Sequence, residues 1–178
     1  MVALTLSTED VCETVITGTN EQGQFLYRTD TPFGFFNRTT TIRKGREVIA
    51  EIEWHSWFSS KLRFNGTEVE TEDFIPARGF LRRKYVFTGP DGRSYRWDLH
   101  RSVVVLSRNE ELRTEVARYH RATLGIIGRK RKATLEVSPG VAHMMDTIII
   151  TFLYVEKIRR EKERRPKATV AMGGLGPM

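Results

Sequence analysis

Between Met144 and Val155 the chain runs through twelve residues interrupted only by Asp146 and two threonines, then passes into Glu156-Lys157-Ile158-Arg159-Arg160-Glu161-Lys162-Glu163-Arg164-Arg165. Periodicity does not separate helix from strand here, and the β-branched run Ile148-Ile149-Ile150 favours a strand. Length beyond an ordinary strand, the lack of internal Gly or Pro, and opposite charges at helical spacing tip the balance. Glu156 with Arg160 and Glu161 with Arg165 are such pairs, and they predict a helix over residues 143–165. A helix apolar on every side must be covered on every side. Lipid does not serve, because a spanning helix needs roughly 20 predominantly apolar residues and this run holds an aspartate. Protein must therefore enclose it, and a single helix inside a many-stranded sheet is the natural solution.

The preceding sequence supplies the strands. Asn65-Gly66 separates Lys61–Phe64 from Thr67–Glu70 and tolerates the positive φ angles of a two-residue hairpin. Arg83 to Thr88 and Arg93 to Leu99 flank Gly89-Pro90-Asp91-Gly92, where Pro presets φ and Gly accepts the left-handed position. Tyr95, Trp97 and Leu99 alternate with Ser94, Arg96 and Asp98, as Val48, Ala50, Ile52 and Trp54 do with Glu51, Glu53 and His55. Further strands are expected at 2–6, 13–17, 24–29, 39–43, 102–107, 114–120 and 133–138. The total is about a dozen, spaced as in an all-β sandwich or barrel. One domain is expected over 1–165, with a disordered tail over 166–178.

Composition excludes several classes. With 39% hydrophobic and 29% charged residues, the chain is not globally disordered. The lone Cys12 excludes an intrachain disulfide framework and a multi-cysteine zinc site. No charged segment followed by an apolar run opens the chain, so the expected location is cytosolic, with contact at most peripheral to membranes. The net charge of +7 is local: residues 156–167 carry seven basic side chains against three acidic ones, a net of +4, leaving +3 elsewhere. Such a segment can attract phosphate-bearing partners, although a solvated helix has the same composition.

The runs Asn37-Arg38-Thr39-Thr40-Thr41-Ile42, Ala50-Glu51-Ile52-Glu53-Trp54-His55-Ser56 and Phe87 to Trp97, with Leu124-Gly125-Ile126-Ile127-Gly128 and Thr151 to Lys157, resemble an uncharacterised domain-of-unknown-function family abundant in mushroom-forming fungi. The likeness covers roughly Leu4 to Arg165. A strand-rich chain ending in an apolar helix also resembles the tubby C-terminal-like superfamily, which includes the phospholipid scramblases and the LURP-one-related proteins. That resemblance implies a mainly β fold: an antiparallel barrel of about twelve strands, closed around the buried helix. It says little about activity, because fold-level likeness is a weak warrant for function.

No catalytic constellation stands out. His55, His100, His120 and His143 lack the short spacing of metal ligands, and acidic neighbours would raise the Cys12 thiol pKa and blunt it. Glu51 and Glu53 read as salt-bridged surface residues. No cofactor or metal is expected. Tyr85, Phe87, Tyr95 and Trp97 would point inward, so a nucleic-acid partner loses its stacking platform. The remaining chemistry is basic: Arg82-Arg83-Lys84, then Arg129-Lys130-Arg131-Lys132 after Gly125 and Gly128, and Arg159-Arg160 on the helix. Converging on one face, these clusters would form an anion site resembling the phosphoinositide patch of tubby domains. The first functional expectation is a non-enzymatic module for anionic membrane surfaces carrying phosphoinositide or phosphatidylserine. The alternative is a protein-interaction scaffold with no lipid preference.

Overall fold

The computed structural model describes residues 1–20, 23–32, 38–55, 59–123 and 131–164. Among them, thirteen strands form one antiparallel sheet. In chain order they are β1 (Val2–Leu6), β2 (Val15–Asn20), β3 (Gly23–Asp30), β4 (Arg38–Lys44), β5 (Glu47–Trp54), β6 (Lys61–Phe64) and β7 (Thr67–Glu70). Then follow β8 (Ala77–Arg78), β9 (Lys84–Thr88), β10 (Ser94–Leu99), β11 (Val103–Arg108), β12 (Glu115–His120) and β13 (Thr134–Val137). A short helix, α1 (Thr71–Phe74), sits between β7 and β8, and a 3₁₀ segment (Pro139–Met144) leads into α2 (Met145–Arg164).

The helix is enclosed as its composition demands. Ile148, Ile149, Phe152 and Val155 are fully buried, and the stretch from Ile148 to Glu156 has no exposed face. Strands from both halves of the sheet reach it. Trp54 of β5 stacks on Tyr154 at 5.8 Å, Tyr85 of β9 meets the same ring edge-on, and Trp97 of β10 and Tyr119 of β12 pack on Phe152. The sheet therefore curls around α2. Each aliphatic or aromatic side chain buried there contributes about 1.5–3 kcal/mol relative to exposure. Two polar groups in this core satisfy one another: Trp97 Nε1 donates to the Thr151 hydroxyl at 3.0 Å, and that hydroxyl donates to the Thr147 carbonyl at 2.8 Å.

The curled sheet is not a closed barrel, and the expectation of a closed barrel of about twelve strands is corrected here. The strand order runs β7-β6-β5-β4-β3-β2-β1-β13-β12-β11-β10-β9-β8, with β7 and β8 as unpaired edges. Between those edges the chain turns into α1, then reaches Pro76, which has no N–H to donate, and a strand only two residues long. Side chains bridge the seam instead. The Phe74 ring lies 5.9 Å from Phe64 of β6 and 6.5 Å from Phe87 of β9, and Ile75 is buried beneath it. Arg82 adds an ion pair to Glu72 at 2.8 Å.

Candidate anion-binding rim

Antiparallel order decides which chain ends meet. Neighbouring strands run oppositely, so the start of β9, the end of β10, the start of β11, the end of β12 and the start of β13 share one rim. Residues widely spaced in sequence arrive there together: Arg82 and Arg83 before β9, His100 and Arg101 after β10, Arg121 after β12, and Arg131 and Lys132 before β13. The C-terminal turns of α2 reach the same rim, as shown by Arg159 donating to the Arg101 carbonyl at 2.8 Å and Arg121 pairing with Glu163 at 3.2 Å.

A cavity of about 570 Å³ opens there. Among the described residues its cations are Arg83, Arg101, Arg121, Arg159 and Lys162, with His100 beside them and Glu163 as the carboxylate. Arg83 and Arg101 are exposed, and among the described residues their guanidinium groups have no carboxylate within ion-pair distance. Arg121 also lines a second cavity, of about 1250 Å³, which contains Arg131, Lys132 and Arg118 together with Glu9 and Glu136. Lys162 also lines a third, of about 800 Å³, at the seam, floored by Trp54, Tyr85 and Tyr154. There Lys157 Nζ sits 4.1 Å above the Trp54 ring.

The sequence-derived basic residues divide into distinct settings. Arg83, Arg131 and Lys132 face these adjoining cavities, whereas Lys84 is exposed at the first position of β9. Arg82 lines the seam cleft, tied to Glu72. Arg159 and Arg160 turn inward. Glu156, with no exposed surface, accepts from Arg159 Nε and Nη2 at 2.7 Å and from Arg160 Nε at 2.8 Å. Burial opposes charge on both arginines, but the bonds to Glu156 outweigh it and hold them above the usual arginine range. Arg129 and Lys130, with the glycine loop before them, lie outside the described residues, as does Arg165 of the expected Glu161 pair.

Arg101 and Arg121 escape a search for consecutive basic residues, because each stands apart from the clusters at a strand end, whereas Lys162 belongs to the basic segment of the helix. The signal that finds the two arginines is strand parity: in an antiparallel sheet of consecutive neighbours, every second connection lies on the same rim.

The other candidates have structural partners. Glu51 and Glu53 pair with Arg63 at 3.6 and 3.1 Å. His55 lies 3.2 Å from Glu53 and His143 3.7 Å from Asp91. Burial, with Asp10 adding to it, pushes the Cys12 thiol pKa up. Among the described residues no group of three or more His, Cys, Asp or Glu side chains is placed to hold a metal ion. Tyr85, Phe87, Tyr95 and Trp97 are buried. Among the described residues no helix is long and apolar enough to cross a membrane.

Fold and rim together define a class of protein: an apolar helix sheathed by an open antiparallel sheet, with a cation-lined cavity where the helix emerges. The chain belongs to the family of unknown function DUF6593, whose model matches residues 9–161. That span contains Arg83, Arg101, Arg121 and Arg159. No curated protein and no solved structure matches the chain.

Proposed function

We propose that the chain is a non-enzymatic binding module for anionic phospholipid headgroups, engaged at the rim where α2 emerges. The observation supporting this reading is the convergence of Arg83, Arg101, Arg121 and Lys162 on one cavity containing Glu163 as its carboxylate, with Arg131 and Lys132 in the adjoining one. Phosphate oxygens suit this lining, because guanidinium groups donate two parallel hydrogen bonds to them. Arg159 shapes the wall, its charge already shared with Glu156 and Glu163. Near a charged membrane each available Lys or Arg contributes about 1 kcal/mol, so several must act together. Kinship with the tubby, scramblase and LURP-one-related group belongs to the same proposal, resting on the enclosed helix, although the open seam departs from that group's closed barrel.

Vesicle co-sedimentation tests the proposal. Phosphatidylcholine vesicles containing phosphatidylserine or a phosphoinositide should pull the protein down, added salt should release it, and Arg83→Glu with Arg101→Glu should abolish recovery. Equal recovery on neutral vesicles would end the idea. Vesicle-independent capture of one specific protein would favour the scaffold reading instead.

A further inference from the structure

The turn joining β8 to β9 carries an apolar tip among cations. Gly79, at φ +78°, opens it, and the Arg82 N–H closes it by donating to the Gly79 carbonyl at 3.0 Å. Only a residue tolerant of the left-handed region fits comfortably at Gly79, and Arg82 itself sits at φ +47°. The two central residues, Phe80 and Leu81, are thereby held outward, 101% and 63% exposed. Of the other large exposed hydrophobics among the described residues, Met1, Val48 and Leu112 lie toward the opposite rim and Leu26 lies within β3. Among the described residues of the rim where α2 emerges, the tip therefore stands as the projecting apolar element.

Its surroundings say what could cover it. Arg78, Arg82, Arg83 and Lys84 flank the tip, all exposed, and residues 74–90 contain no Asp or Glu. Arg82 braces the base of the turn through Glu72. Arg83 faces the basic cavity on one side, and Arg82 faces the seam cleft on the other. A protein pocket could accept a phenyl ring, but a ring and a leucine surrounded by four cations match a surface that is apolar in depth and anionic at its face.

We propose that Phe80 and Leu81 insert at the boundary between headgroups and acyl chains of an anionic bilayer while the flanking cations hold its headgroups. This rests on the headgroup-binding reading above and adds the depth at which the rim docks. Apolar insertion and electrostatic attraction reinforce one another in interfacial anchors.

The test uses the full chain with two probes: phosphatidylcholine vesicles containing phosphatidylserine, and soluble inositol trisphosphate. Phe80→Ser with Leu81→Ser should weaken vesicle partitioning about tenfold or more while leaving inositol trisphosphate binding unchanged. A polarity-sensitive fluorophore on Phe80→Cys, in a Cys12→Ser background, should shift to the blue on the vesicles and not with the soluble probe. Because both tip residues are exposed, the thermal midpoint should hold in the variants. Undiminished vesicle binding by the double variant, or an unshifted fluorophore, overturns insertion while leaving the cavity reading in place. Equal loss of both probes overturns it too, because the substitutions would then be acting on the cavity. Absence of vesicle binding by the unaltered protein also overturns insertion, and its inositol trisphosphate binding then decides the cavity reading separately. A dimer that dissociates in the double variant would make the tip a contact between copies and overturn the bilayer assignment.

Discussion

The two ends of α2 solve the same problem in opposite ways. At the N-terminal end a single carboxylate, Asp146, stands in the first turn, accepts a hydrogen bond from Tyr27 and pairs with Lys44 at 2.8 Å. It is 40% exposed, so water shares the work, and the helix dipole favours a negative charge there. At the other end Glu156 lies fully buried, compensated by two arginines that reach onward to Glu163 and Glu9. One end is a balanced and partly solvated contact. The other is a buried ionic core beside a cavity whose lining includes Arg83 and Arg101, which among the described residues have no carboxylate within ion-pair distance. The inner arginines are occupied by carboxylates, while among the described residues Arg83 and Arg101 outside them are not.

The largest test of this contrast is Glu156→Gln. Removing the buried carboxylate leaves Arg159 and Arg160 in the interior with their main partner gone, a change worth about 3–5 kcal/mol. Urea unfolding should show it as a lowered midpoint with an unchanged slope. A loss below about 1 kcal/mol would mean that the buried network behaves like a surface ion pair, and the contrast between the ends would fail.

Alkaline pH gives the next largest effect. Burial first, with Tyr154 adding to it, pushes Tyr85 up to about 12, and burial with Glu156 does the same for Tyr119. An unfolded tyrosine titrates near 10. Their stabilising contribution is therefore complete below pH 10, falls as the unfolded chain ionises, and is gone once the pH has passed through about 12. The decline is about 1.4 kcal/mol per pH unit for each residue. Tyr27, raised further by burial and then by Asp146, should ionise after both. Tyrosinate absorbance followed alongside unfolding checks this, and Tyr27 titrating first would reverse the assignment.

Much of this architecture was legible before any coordinates, for local reasons. Asn65 and Gly66 both take positive φ, as a two-residue hairpin requires, and β1, β6 and β7 fall at the boundaries that alternation and turn residues mark. Gly92 takes the left-handed position expected of it, at φ +75°. The enclosed helix was legible because an apolar run of that length needs a cover. What escaped was decided at long range. Closure depends on whether β7 and β8 meet, and the tract holding α1 and β8 carries no alternation to announce them. The inward turn of Arg159 and Arg160 was hidden as well: a Glu156–Arg160 pair reads the same in sequence whether water or Tyr119 surrounds it. The tip at Phe80 has no periodic signature at all, and only its exposure distinguishes it from core.

The smallest effect expected is at the N-terminal end of the helix. Asp146→Asn keeps an oxygen that can accept from Tyr27 but removes the charge facing Lys44. Both members of that ion pair are at least 40% exposed, so the loss should stay below about 1 kcal/mol and shrink further in high salt. Burial is the leading cause of the raised Tyr27 pKa and Asp146 the second, so the phenol should titrate earlier in the variant while remaining above the ordinary tyrosine range. A loss of stability rivalling that of Glu156→Gln would place the N-terminal contact on an equal footing with the buried network. The two ends of one helix could not then be said to differ in how they bury their charge.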